Sequence, residues 1–369
     1  AFLLRALGNT HDALCQKRLR FRDRFVPEAA MAVVKAVVGV GLALAGYGVF
    51  SLVVAQLSGL AVWAALLWAV VPWRPSLRLP SRALLGELLS FGRWIVVVNV
   101  LSAIVHHADK LFIGRELGSA ALGLYQAAAK VIEVSITVWI WVVSRVLFPA
   151  FSRLHARGEA LGPAYLRAMR ALALVTLPGS VALALLAEPV VVTLFGLAWR
   201  DAAPILRALA IYGGLRSLGS SAGDALKASG AAGTLAGLAA LKAAILLPAV
   251  AFAARRGAPA VATAVAAAAL AGLVIDLALV ARRMAVGTRA YARALAPGVT
   301  LALAVGVTTA ALEVATRGRP EPLRLALALV AAGAVFAAGA ARFEPGLVRA
   351  VRERLAAWRL ARRGAEEAG

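Results

Sequence analysis

Apolar positions along this chain come in long blocks rather than in the i, i+3, i+4 stripes of a soluble amphipathic helix. Val190–Ala198, Ala231–Ala254 and Leu323–Ala341 are nearly unbroken apolar tracts. A run of about 20 such residues crosses the hydrocarbon of a bilayer as a helix. Windows between loop signals predict spans over 27–46, 48–71, 88–113, 120–149, 166–195, 202–227, 231–252, 258–281, 293–315 and 322–342. The links are short and punctuated by turn formers such as Gly46-Tyr47-Gly48, Trp73-Arg74-Pro75 and Gly196–Asp201. None has room for a folded extramembrane domain. The predicted fold is all-α, a polytopic membrane helical bundle of about ten transmembrane helices. The chain opens at Ala1 on a segment, 1–19, that reads as the tail of an earlier span, so an N-terminal portion is expected to precede it.

Composition supports the membrane reading. The chain is 62% hydrophobic and 16% charged, against about 45–50% and about 25% in soluble domains. A formal net charge of +22 would suggest a nucleic-acid partner in a soluble protein. Here the cations sit mostly between the apolar spans. Alternate links hold Lys17, Arg18, Arg20, Arg22 and Arg24, then Arg74, Arg78 and Arg82, then Arg153, Arg157, Arg167 and Arg170. Cationic links resist translocation, so this set is expected in the cytoplasm, with both chain ends. No nucleic-acid partner is expected. Residues 344–363 interleave Leu347, Val351, Leu355 and Trp358 with arginines and read as a basic helix on anionic lipid, or as a solvated basic tail. The single cysteine, Cys15, excludes an internal disulfide, and His106 with His107 face different sides of a helix, so no metal is expected.

Ionisable side chains inside spans cost at least about 2.5 kcal/mol each and mark functional positions by default. Gln126, Lys130, Glu133, Thr137, Trp141 and Ser144 share one helix face at spacings of 4, 3, 4, 4 and 3. Lys130 lies roughly 15 Å from the outer end, near the midplane. Asn99, Ser102, His106 and Asp109 form a second face, with Arg93 near its cytoplasmic end; Arg216, Ser220 and Lys227 form a third, beside Asp224. Lys35 and Lys242 add cations in other spans. Such faces, turned toward one another, would enclose a wet cationic cavity suited to phosphate or pyrophosphate. Structural readings stand beside the functional ones. Lys130 and Glu133 have the spacing of a plain ion pair, Asp109 and Lys110 sit where snorkelling lowers the cost, and Arg93 and Arg145 have the placement of topology determinants.

Motifs then narrow the field. Phe91-Gly92, Asp109-Lys110-Leu111-Phe112-Ile113-Gly114-Arg115-Glu116-Leu117-Gly118, Leu122-Gly123-Leu124-Tyr125-Gln126-Ala127 and Leu147-Phe148-Pro149-Ala150-Phe151-Ser152 follow in order, with Leu194-Phe195-Gly196 and Trp199 later. In order and spacing they resemble the bacterial polysaccharide flippases of the multidrug/oligosaccharidyl-lipid/polysaccharide exporter superfamily, from about residue 13 to 300. The resemblance implies a two-lobe transporter of twelve to fourteen helices. In it, 1–87 would be the remainder of the N-terminal lobe, 88–285 the C-terminal lobe, 286–343 an additional helix pair and 344–369 a basic cytoplasmic tail. It also implies residence in the bacterial cytoplasmic membrane and a lipid-linked oligosaccharide substrate on undecaprenyl diphosphate, moved by alternating access. A polysaccharide polymerase or glycosyltransferases would be its protein partners.

On that reading Arg93, Lys130, Arg145 and Arg216, with polar neighbours Asn99, His106, Gln126 and Thr137, would line the substrate path. Asp109, Glu133 and Asp224 would be candidates for ion coupling. No cofactor is implied, and no GxxxxGK[ST] segment occurs. Two rivals remain: an exporter of drugs or organic cations on the same fold, and a membrane glycan polymerase or ligase. The first sits badly with a cationic cavity. The second calls for a sizeable outer loop, whereas the longest here, 255–259 and 316–322, are short.

Overall fold

The computed structural model describes residues 2–17, 21–74, 81–230 and 232–344. Among them every regular element is helical. The basic segment beyond Glu344, expected at the lipid surface, lies outside the described residues. Among the described residues, eight stretches suffice by length and composition to cross a membrane. The chain is an all-α, polytopic membrane bundle.

Contacts divide it into two units, 1–88 and 89–369. In the first, α1 (Phe2–Lys17), α2 (Phe21–Leu44) and α3 (Phe50–Val70) pack together. Their core gathers Cys15, Leu60, Trp63, Leu67 and Val71, and Arg24 of α2 holds Asp12 of α1 at 2.7 Å. The stem of Lys35 crosses α3 at Gly59, where a Cβ would fall 2.5 Å from its Cγ. This intramembrane lysine thus uses a glycine on its neighbour as a groove.

The second unit runs α4 (Arg82–Glu116), α5 (Gly118–Ile132), α6 (Val138–Ala156), α7 (Leu161–Leu185), α8 (Ala187–Phe195), α9 (Ala203–Ala228), α10 (Ala232–Ala254), α11 (Ala258–Met284), α12 (Thr288–Ala315) and α13 (Glu321–Phe343). α4 and α9 are 35 and 26 residues long and are not among the eight apolar stretches; they carry much of the polar chemistry. Gly118, at φ +84°, lets the chain leave α4 and enter α5 with Leu117 alone between them.

Two spans differ from the pattern-based expectation. The 166–195 block is not one helix. α7 begins at Leu161, and its 25 residues reach roughly 37 Å at about 1.5 Å each, enough to cross hydrocarbon. The helix breaks at Leu186, and α8 follows as a separate nine-residue piece carrying Pro189 near its start. The 120–149 block is continuous in helix from 118 to 156 but contains a π turn at Glu133–Thr137. One wide turn rotates everything after it relative to everything before it.

α9 lies at the centre, packed on α5, α6, α7 and α11. Its small residues make that possible. A Cβ on Gly213 would meet Ile132 and Ile136 at 3.1–3.3 Å, and one on Gly214 would meet Ser180 Oγ at 2.8 Å. One core layer joins Tyr125, Ile132, Leu186, Leu206, Val250 and Val261; another joins Phe151, Tyr165, Met169, Leu218, Val280 and Tyr291. Large apolar side chains such as Leu303, Val307 and Val330 point outward, the arrangement expected where lipid tails replace water around the bundle.

Candidate functional site

Five helices of the second unit, α4, α6, α9, α10 and α11, line a cavity of about 320 Å³. α4 contributes His106 and Asp109, one turn apart on one face. α9 contributes Tyr212, Arg216 and Ser220, at the i, i+4 spacing that stacks them in a row. Arg216 Nη2 donates to His106 Nε2 at 3.2 Å, joining α9 to α4. An arginine donates only, so this ring nitrogen is the acceptor. The guanidinium also lies 5.9 Å from the Tyr212 ring centre, within cation–π range. Neither partner carries negative charge, and no carboxylate within ion-pairing distance of Arg216 is found among the described residues.

Asp109 is held differently. Tyr125 Oη of α5 donates to its Oδ2 at 2.6 Å, and the Lys110 backbone N–H donates to its Oδ1 at 2.8 Å. Tyr125 is fully buried, so its phenol fixes one cavity carboxylate from behind. Tyr125→Phe should lower thermal stability by about 1.5–3 kcal/mol, the usual contribution of a hydrogen bond to a carboxylate. Unfolding of the detergent-purified protein would check this; an unchanged Tm would show that the phenol contributes nothing.

The sequence-predicted residues separate into groups. His106, Asp109 and Arg216 come together at the cavity. Gln126, Lys130 and Glu133 do not line it; they share an exposed face of α5 and the π turn, with Lys130 Nζ donating to Glu133 Oε2 at 2.9 Å. The expectation of one uninterrupted stripe through Thr137 is corrected: Thr137, at the end of the π turn, is buried, while Trp141 is exposed again. Asp224 is buried near the end of α9, with Lys227 Nζ 3.6 Å from its Oδ1. Arg93 and Asn99 sit on α4 and Arg145 on α6; their side chains lie outside the described residues.

Asp276 is the residue that sequence reading passed over. It lies on α11 at the cavity, and Lys242 Nζ of α10 donates to both of its carboxylate oxygens at 2.7 Å. A signal was available: Asp276 is the lone acid in an apolar span, and a buried charge requires a partner. Lys242, a lone cation in another apolar span, is the complement.

Apolar helices long enough to cross a bilayer, packed around a cavity that holds charged side chains, define a polytopic integral membrane protein. Residues 1–204 match the polysaccharide biosynthesis protein family, and the chain belongs to that family. It is 28% identical over 237 residues to the teichuronic acid biosynthesis protein TuaB of Bacillus subtilis, covering 63% of this chain and 48% of that protein. With the lipopolysaccharide biosynthesis protein WzxC of Escherichia coli it shares 28% identity, over 42% of this chain and 32% of that protein. With the succinoglycan biosynthesis transport protein ExoT of Rhizobium meliloti it shares 29%, over 56% and 42%. The chain thus matches about half, or less, of the length of these curated relatives. A solved structure of the lipid II flippase MurJ in an inward closed conformation aligns with a TM-score of 0.75 at 14% identity, over 94% of this chain and 72% of that one. At that identity the likeness is one of fold. The resemblance to polysaccharide flippases read from the motifs between Phe91 and Ser152 is thereby upheld.

Proposed function

We propose that this chain forms part of a flippase that carries undecaprenyl-diphosphate-linked oligosaccharide repeat units across the bacterial cytoplasmic membrane by alternating access, with both of its ends in the cytoplasm. The observation that carries the reading is Arg216, a guanidinium facing an intramembrane cavity with a histidine and a tyrosine, not a carboxylate, as neighbours. Such a group is costly at this depth unless an anion visits it, and its planar fork suits phosphate oxygens. Arg93, Lys130 and Arg145 would extend the cationic path, with Asn99, His106 and Gln126 as polar neighbours. The isoprenoid tail would stay in lipid. Asp109, Glu133 and Asp224 are the candidates for a coupling ion.

Transport of this kind makes and breaks no covalent bond, and the roles named here are those of a carrier. Membrane lipid surrounds it, and a polymerase or glycosyltransferases would make or consume its cargo. The family, TuaB, WzxC and ExoT all bear names from polysaccharide biosynthesis or transport, which favours a glycan cargo over an organic cation.

The test is complementation of a flippase-null strain by the full-length gene, with lipid-linked intermediates measured in each leaflet. Restored appearance of the intermediate in the outer leaflet is expected. Restored glycan polymerisation without that transfer would favour a polymerase or ligase.

Lys130 offers a sharper test within the same assay. Lys130→Glu should abolish export while the protein still inserts. The double swap Lys130→Glu with Glu133→Lys rebuilds the 2.9 Å pair with its polarity reversed. A cation that serves the cargo is not replaced by the swap, whereas a structural pair is. Full export by the swapped variant would assign the pair to structure.

A further inference from the structure

One ion pair at the cavity stands apart from the cations assigned to the diphosphate: Lys242 of α10 with Asp276 of α11. The ammonium nitrogen is 2.7 Å from each carboxylate oxygen, astride the group as a small bound cation would be. The carboxylate is recessed, its side chain 5% exposed against 33% for the lysine. Asp276 therefore lies beneath its partner.

Two glycines shape this seat. A Cβ at Gly219 of α9 would fall 2.8 Å from Asp276 Oδ2, and one at Gly272 of α11 would fall 3.3 Å from Lys242 Cε. Among the described residues, Lys242 is the hydrogen-bonding partner of both Asp276 oxygens. The other ionisable groups lining the cavity are His106, Asp109, Tyr212 and Arg216.

We propose that Asp276 is a monovalent-cation site filled by the chain's own tethered ammonium, Lys242, so that the junction of α9, α10 and α11 needs no cation from solution. The physical case is one of charge and tethering. A carboxylate this deep is strongly destabilising without a positive partner. A cation attached to the neighbouring helix is present at high effective concentration whatever the salt outside. Cutting the side chain back to its Cβ would open the seat to the cavity of about 320 Å³, and the missing atoms are those of n-propylammonium. This inference does not depend on which cargo the protein carries.

The test uses the purified full chain, with Tm measured in sodium, n-propylammonium and tetramethylammonium chlorides at matched ionic strength. Wild type should respond alike to all three. Lys242→Ala should lose stability and regain most of it, saturably, with n-propylammonium, less with sodium and not with tetramethylammonium, which has no N–H to donate. Adding Asp276→Asn should remove the response. Equal effects of the two ammonium ions on Lys242→Ala, or no effect of either, would overturn the proposal.

If Lys242→Ala is recovered folded only when n-propylammonium is present during purification, that result supports the site. Failure with and without the amine, while Lys242→Met/Asp276→Asn folds, would also overturn it. In that case neutrality would be required, but a replaceable cation would not suffice.

Discussion

Gly298→Leu is expected to prevent the chain from accumulating as a folded membrane protein. Gly298 lies on α12 where it crosses α7, and a Cβ there would fall 2.7 Å from the Ala173 carbonyl carbon and 2.8 Å from its Cβ and oxygen. Those atoms include backbone, so no side-chain rotation makes room. The two helices would have to part. Parting them would loosen the contacts their approach permits, including the edge-on pair of Tyr165 and Tyr291, whose ring centres are 6.1 Å apart, and the cluster of Leu174, Leu301 and Val305. Helices in lipid associate through close packing, so a lost contact is not offset by a hydrophobic driving force. The cost should exceed the roughly 1–3 kcal/mol typical of overpacking in a core that can adjust. Gly333→Leu on α13 is the control, since nothing lies within 4 Å of a Cβ there. Monodisperse yield and Tm in detergent would separate the two. A wild-type profile for Gly298→Leu would mean that α7 and α12 do not approach this closely.

Much of this architecture can be read from local pattern because a bilayer imposes a simple rule. Apolar length sets the spans, and α2, α3 and α9 to α13 begin and end within six residues of the expected limits. Two features follow from relations that no local window contains. The π turn at Glu133–Thr137 changes which side chains share a face after Glu133, so a stripe counted at ordinary helical spacing holds for Gln126, Lys130 and Glu133 and fails at Thr137. The Lys242–Asp276 pair joins residues 34 apart on different helices, and neither has polar neighbours at i±3 or i±4 on its own helix. A search for stripes therefore finds Arg216 with Ser220, and His106 with Asp109, but passes over Asp276. A search for lone charges that need opposite partners would have found it. Motif order, by contrast, survives these shifts, because Asp109–Gly118 and Leu147–Ser152 mark the α4–α5 turn and the C-terminal half of α6 whatever the helical register between them.

Arg216→Glu is expected to reduce transfer of lipid-linked oligosaccharide by at least about tenfold while leaving the protein in the membrane. The substitution removes the donor to His106 Nε2 and sets a third carboxylate at a cavity that already holds Asp109 and Asp276. Hydrogen bonds to charged groups contribute about 1.5–3 kcal/mol, so losing even one to a phosphate oxygen is enough for a tenfold change, before the repulsion of an anionic cargo is added. Arg216→Met isolates the cause. It keeps an unbranched stem beside Tyr212 and adds no negative charge, so a defect in this variant reports the missing guanidinium. Arg216→Lys keeps the charge but not the planar fork and should fall between Met and wild type. The measurement is outer-leaflet intermediate per unit of membrane-inserted protein, with Tm recorded for each variant. Normal transfer by Arg216→Met at unchanged Tm would remove the guanidinium from the path of the diphosphate. In that event its bond to His106 would stand as a structural tie between α9 and α4.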